Sequence, residues 1–240
     1  MHLTWIAFLI ATVVLGVGAA LQGAVGYGLG LLASPVLVLI EPRMIPGPFM
    51  LAALALTVLM TLRERQALDP QGVGWLVIGL PPGALLGVLV LTRLPQRTFS
   101  IVFGVAILLA VLMSASGLRL PTRKSVLGAA GFIGGVMSIL AGMSGPPAAL
   151  ALQDEAPQRL RSTLSVFFIA NSLISIAVLI PAGRFGVYEV ELAAVQLPGI
   201  LLGYLVSSHL VKRLGGRSLR PAILGLSALT AVAVILKQVL

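Results

Sequence analysis

Long apolar runs separated by short polar knots organise this chain. Uncharged stretches extend from Leu3 to Ile40, Met44 to Leu62, Gln71 to Thr92, Thr98 to Gly117, Ser125 to Gln153, Ser162 to Gly183, Leu192 to Val211 and Pro221 to Leu236. About 20 apolar residues suffice to cross a bilayer as a helix. Two of the runs are too long for one crossing and carry glycine- and proline-rich breaks. The first is Gln22-Gly23-Ala24-Val25-Gly26-Tyr27-Gly28-Leu29-Gly30, continuing to Ser34-Pro35, and the second is Ala141-Gly142-Met143-Ser144-Gly145-Pro146-Pro147. The pattern predicts five pieces in each half. The first half holds a helix near 4–21, a stub near 28–40 and helices near 46–62, 72–92 and 98–117. The second holds 125–141, a stub near 145–153, and helices near 160–181, 188–211 and 218–239.

Composition strengthens this picture. Of 240 residues, 58% are hydrophobic and 10% charged, against roughly a quarter charged in a soluble domain. The chain therefore reads as an all-α polytopic membrane protein. A β-barrel would need alternating strands of roughly ten residues, which the sequence lacks. The net charge of +9 would suggest nucleic acid in a soluble protein. Here the cations sit in short loops, where they act as topology signals and headgroup contacts, and no nucleic-acid partner is expected. The sequence contains no cysteine, which excludes disulfides and thiolate chemistry. No basic region precedes the first apolar run, so Leu3 to Leu21 is expected to remain as a membrane helix.

The sequence also repeats itself. Pro82-Gly83-Ala84-Leu85-Leu86-Gly87-Val88-Leu89-Val90 recurs as Pro198-Gly199-Ile200-Leu201-Leu202-Gly203-Tyr204-Leu205-Val206, with seven of nine positions matching at an offset of 116. Matching glycine to glycine pairs Gly23 with Gly142 and Gly26 with Gly145, at an offset of 119. The expected organisation is a first transmembrane repeat at 1–118, a basic linker at 119–124 and a second repeat at 125–240, forming one membrane domain. Each repeat would hold a broken or short helix followed by three transmembrane helices, giving about 8–10 membrane segments.

Charge placement tests whether the stubs count as crossings. If they do, one side receives Arg63, Arg65, Arg119, Arg123, Lys124, Arg159, Arg161, Lys212, Arg213, Arg217 and Arg220. The other receives Arg43, Arg93, Arg97, Arg184 and Lys237, an eleven-to-five split. If each stub returns to the side it entered, the split is nine to seven. The ten-segment order segregates charge better, and its odd count per half makes the repeats inverted, as in many alternating-access carriers.

The break Gly23-x-x-Gly26-x-Gly28-x-Gly30 with Pro35, and its echo Gly142-x-Ser144-Gly145-Pro146, resemble the two signature stretches of the TauE/SafE sulfite exporter family, also called the 4-toluene sulfonate uptake permease family. The resemblance covers essentially the whole chain. It implies a multi-pass carrier in the bacterial inner (cytoplasmic) membrane for sulfite, sulfonates or related organosulfur anions. Tyr27, Leu29 and Pro147 stand where the family commonly has small residues.

The residues themselves suit such cargo. A broken helix leaves backbone groups that hydrocarbon cannot satisfy, so they must line a cavity or touch solute. Free N–H groups at a helix N-terminus attract anions, and missing β-carbons allow close approach. The candidate substrate-binding residues are Gln22, Gly23, Gly26, Tyr27, Gly28, Gly142, Ser144, Gly145 and Asn171. Gln196, Ser34 and Ser138 are weaker candidates. Gly16, Gly18, Gly83, Gly87, Gly134, Gly135, Gly199 and Gly203 are expected to serve close helix packing. All seven acids lie near segment ends, and no carboxylate or histidine is placed at mid-depth, where proton relays put one. No catalytic residue, metal or cofactor is expected. The partners are a small anion and the lipid bilayer, and a homo-oligomer is compatible with the sequence. Two other classes stay open: an intramembrane enzyme acting on lipid phosphates, and a passive membrane subunit of a larger complex.

Overall fold

A computed structural model describes residues 4–118, 120–214 and 220–239. Arg119 and Arg217, counted in the charge split, and position 119 of the linker lie outside them. Side chains at 66, 96, 97, 210–214, 220–223 and 237–239 lie outside the description as well, those of Arg97, Lys212, Arg213, Arg220 and Lys237 among them.

The described residues form α1 (Trp5–Val25), α2 (Leu29–Ile40), α3 (Gly47–Glu64), α4 (Pro70–Arg93), α5 (Gln96–Ala115), α6 (Lys124–Ala141), α7 (Gly145–Ala151), α8 (Pro157–Leu179), α9 (Val187–Leu214) and α10 (Arg220–Val239). Two single 3₁₀ turns, Pro42–Met44 and Arg65–Ala67, flank α3, and no strand occurs among the described residues. Local chemistry sets the boundaries. The Thr4 hydroxyl accepts from the Ala7 N–H at 3.2 Å, and the Asp69 carboxylate accepts from Gln71 N–H at 3.2 Å. Both are N-caps. Prolines open α4 and α8, where a missing N–H costs nothing.

Among the described residues, seven helices are long and apolar enough to cross a membrane, so the chain is a multi-pass membrane protein. At about 1.5 Å per residue, the 12-residue α2 reaches about 18 Å and the 7-residue α7 about 10 Å, well short of a hydrocarbon core of about 30 Å. Each short helix starts beside the middle or late turns of its predecessor. A β-carbon on Gly18 of α1 would touch Leu29, the first residue of α2, and one on Gly134 of α6 would touch Ser144, just before α7.

Side-chain contacts sort the helix ends onto two faces. On one, Arg161 pairs with Glu64 at 2.8 Å, Arg159 with Asp69 at 3.4 Å, and Arg63 reaches the Gly23 carbonyl at 2.6 Å. The Thr122 hydroxyl donates to the Ala151 carbonyl at the end of α7. On the other face Arg43, just past α2, pairs with Glu189 at 3.3 Å, and Arg184 and Leu94 line the same cavity as Arg43. The end of α1 thus lies on the Arg63 face, whereas α2 leads to the Arg43 face. The short helices complete the return journey, as the ten-segment order requires.

The packing obeys a two-fold exchange of α1–α5 with α6–α10. The most extensive pairings are α4 with α6 and its equivalent, α1 with α9; α3 packs on α8 and α5 on α10, each its own equivalent. Because α1 starts on the Arg43 face and α6 on the opposite one, the two halves run inverted. Glycine permits the two largest interfaces. A β-carbon on Gly83 would meet the Phe132 carbonyl, one on Gly135 the Leu80 carbonyl, and one on Gly203 the Gly16 carbonyl. Gly16, Gly18, Gly87, Gly134 and Gly199 also face neighbouring segments closely. Small residues serve this purpose throughout membrane proteins, where lipid competes with any larger side chain.

Conformation also fixes the repeat register. Gly26 ends α1 at φ +103° and Gly142 ends α6 at φ +68°. The first helical residues after them are Leu29 and Gly145. Each pair is 116 apart, the same offset as the two Pro-Gly motifs. This replaces the 119 offset: equivalent backbone turns define the repeat, and at one N-cap the residue is Gly28 while at the other it is Ser144.

Candidate anion site between the two breaks

Both breaks depend on left-handed backbone. Gly26 and Gly142 have positive φ, as does Gly28 at φ +136°, and among the described residues no non-glycine does. Glycine carries no β-carbon penalty there. At the first break the Gln22 side chain accepts the Leu29 N–H at 3.3 Å across the turn. This leaves Gly30 and Leu31, whose N–H groups have no partner within α2. At the second break Pro146 and Pro147 occupy the first turn of α7, so Gly145 carries the N–H there.

The two breaks touch each other. A β-carbon on Gly30 would meet Met143 and the Gly142 carbonyl, and one on Gly145 would meet Tyr27. Between them lies a cavity of about 40 Å³, lined by Gln22, Tyr27, Gly28, Gly30, Leu31, Gly142, Met143, Ser144, Gly145, Asn171 and Ser172 among others. One water needs roughly 10–15 Å³ of such space, so a few waters or one small ion fit. Gln22, Ser144, Asn171 and Ser172 are all buried. Among the described residues, no charged side chain lines the cavity.

Seven of the nine candidates therefore surround one space: Gln22, Tyr27, Gly28, Gly142, Ser144, Gly145 and Asn171. Gly23 and Gly26 do not. A β-carbon on Gly23 would strike Ser207, and one on Gly26 would strike Arg161. Both glycines face the charged cluster on the Arg63 face rather than the cavity. Glycine spacing marks where a helix breaks but not which side of the turn faces the space. Of the weaker candidates, Gln196 donates to the Met44 carbonyl at 3.4 Å and lies away from the cavity.

Sequence reasoning missed the contribution of α3. Phe49, Met50, Ala53 and Thr57 line the cavity. Phe49, Ala53 and Thr57 recur every four residues, the mark of one helix face, but nothing in that face looks polar enough to attract notice. From α8 come Phe168, Asn171 and Ser172. The Asn171 amide donates to the Ser138 hydroxyl at 3.0 Å and to Met50 Sδ at 3.6 Å, and Ser138 lies 3.0 Å from the Ser175 hydroxyl. Asn171 is thus positioned by α3, α6 and its own helix.

The two sides of the cavity have different neighbours. On one face Arg63 donates to the Gly23 carbonyl and, at 2.9 Å, to the Ser207 hydroxyl, while Glu64 receives Arg161 through both carboxylate oxygens. The Arg63 and Arg161 side chains are 23% and 11% exposed. On the other face a separate cavity of about 170 Å³ is lined by Arg43, Arg184, Glu189, Ile45 and Phe99. Ile45 is also the nearest apolar neighbour of Gly142, so it stands between this vestibule and the second break.

No curated protein and no solved structure matches the chain significantly. The family model described as sulfite exporter TauE/SafE matches residues 9–234, nearly the whole length. The chain belongs to the sulfite exporter TauE/SafE family.

Proposed function

We propose that the protein is a secondary carrier of a small sulfur-containing anion, sulfite or a compact sulfonate, in the bacterial inner membrane. The family is a transporter family of sulfite exporters, and the cavity supplies the chemistry. The observation that carries the proposal is the meeting of two interrupted helices at an uncharged, buried space. The N-terminus of α2 brings free N–H groups and the positive end of a helix dipole to it. Ser144 and Gly145 line it from the second break. Pre-oriented neutral donors hold one negative charge without a buried cation that would trap it. No acid or base is needed at depth, so the protein acts as a carrier rather than an enzyme.

Access alternates by movement of one inverted half against the other. In the arrangement described here, the Arg63–Glu64–Arg161 network closes one face and the vestibule with Arg43 and Arg184 admits solute from the other. The face with more cations is cytoplasmic. The two-fold packing supports this reading, because exchanging the roles of the two halves produces the opposite arrangement.

The test is flux. Purified protein in liposomes is expected to carry labelled sulfite, and an equal amount of the Gly30→Leu variant, which fills the crossing of the breaks, is expected to carry little. Absence of sulfite and sulfonate flux from the unaltered protein would refute the proposal.

A further inference from the structure

We infer that the cargo is sulfite rather than a sulfonate, that it occupies the cavity as a monoanion keeping one hydroxyl proton, and that Asn171 Oδ1 accepts the hydrogen bond from that hydroxyl. For sulfite this is hydrogen sulfite in its O-protonated form. The inference rests on the transport reading above and names which form of the anion the site takes.

Charge is the first reason. No lining residue carries any. The nearest helices hold theirs at their ends: Arg63 and Glu64 close α3, Asp69 caps α4 and Arg93 ends it, Lys124 opens α6, and Arg159 and Arg161 lie in the first turns of α8. Neither α1 nor α7 contains a charged residue, and α2 is followed by Glu41. The α2 N-terminus supplies the equivalent of about half an elementary charge. That suits one negative charge. The desolvation cost of an ion grows with the square of its charge, so a dianion would be strongly disfavoured here.

Hydrogen bonding is the second reason, and it is independent of the first. Asn171 is 3% exposed and lines the cavity. Its Nδ2 is engaged by Ser138 and Met50, and its Oδ1 has no partner. An unmet buried acceptor is costly. Fully ionised sulfite offers only acceptors and leaves Oδ1 unmet. Hydrogen sulfite offers two oxygens to the N–H donors and one O–H to Oδ1. The proton then crosses on the cargo, which explains how a chain without a buried carboxylate can couple flux to pH.

Sulfite flux into liposomes, measured across a pH series with total sulfite held constant, tests this directly. It is expected to fall about tenfold per pH unit above the second ionisation of the cargo, tracking hydrogen sulfite. Among the described residues Tyr27 is the one titratable side chain lining the cavity, and Tyr27→Phe is expected to leave that slope unchanged whatever its rate. Methanesulfinate, a monoanion with a methyl group in place of the hydroxyl, is expected to compete at least about tenfold less well, a gap of one pKa-unit equivalent. Asn171→Leu is expected to narrow that gap. The wild-type series and competition stand even if this variant does not fold. Flux that is independent of pH or rises with the dianion, or methanesulfinate competing as well as hydrogen sulfite, overturns the inference while leaving transport intact. No flux at any pH removes both.

Discussion

The two breaks share a backbone device and differ in what surrounds it. Gly26 and Gly142 end their helices in the same left-handed way, 116 residues apart. Around the first stand Arg161, and Arg63 on the nearby Gly23 carbonyl. Around the second stand Ile45 and the Ser34 hydroxyl. An ionic network stands beside one break, and Ile45 and Ser34 stand beside the other, with the cavity lined by Arg43 and Arg184 next to Ile45. The symmetry of the fold makes the cavity, and the flanking residues make its two sides unlike. At the position equivalent to Arg63 the chain has Leu179, so that arginine has no counterpart in the second half.

The largest expected effect comes from breaking what the two regions share. Gly142→Val forces a β-branched residue to φ +68° and presses its β-carbon on Ser34 and Ile45, at 3.1 and 3.2 Å. Left-handed backbone alone costs about 1–2 kcal/mol. Flux should fall below a tenth of wild type, roughly the 1.4 kcal/mol equivalent of a decade, with a lower melting temperature in detergent. Gly26→Val should behave similarly. If both variants carry sulfite normally, the turns do not shape the site.

Next in size is the difference between the regions. Glu64→Gln leaves Arg161 without its carboxylate, a loss of about 1.5–3 kcal/mol for a hydrogen bond to a charged group. The Arg63 face should then open more often, read as faster thiol labelling of a cysteine placed at Ser144 from that side. The chain contains no cysteine of its own, so the background is clean. Labelling equal to that of the parent would show that the network is not a closure.

A smaller effect is expected at the vestibule. Arg43→Ala with Arg184→Ala should slow anion capture a few-fold at low salt and little at high salt, because long-range steering is screened. The smallest is Ser207→Ala, which removes one of Arg63's partners and should cost about 0.5–1.5 kcal/mol of stability with flux nearly unchanged.

Much of this architecture was legible in the sequence. Apolar run length and the positions of glycine and proline located the ten helices of the described residues, because punctuation by these residues is a local backbone effect. Charge sorting anticipated that the short helices separate two faces, and the ion pairs of Arg63, Arg159 and Arg161 on one side and Arg43 on the other follow that grouping. What escaped was anything set by orientation. Gly23 and Gly26 carry the same pattern as Gly28 but face Ser207 and Arg161. Phe49, Met50 and Thr57 line the cavity from a helix with no unusual residue. The repeat register was misjudged by three residues because glycine was matched with glycine, while the fold matches a glycine N-cap with Ser144.

Ser144→Cys, probed with a membrane-impermeant thiol reagent applied to one face at a time, tests most directly that the two breaks enclose an anion site open to one side. Labelling from the Arg43 face, slowed by sulfite, is the predicted result. Labelling from the Arg63 face alone, or labelling that sulfite does not alter, would contradict it.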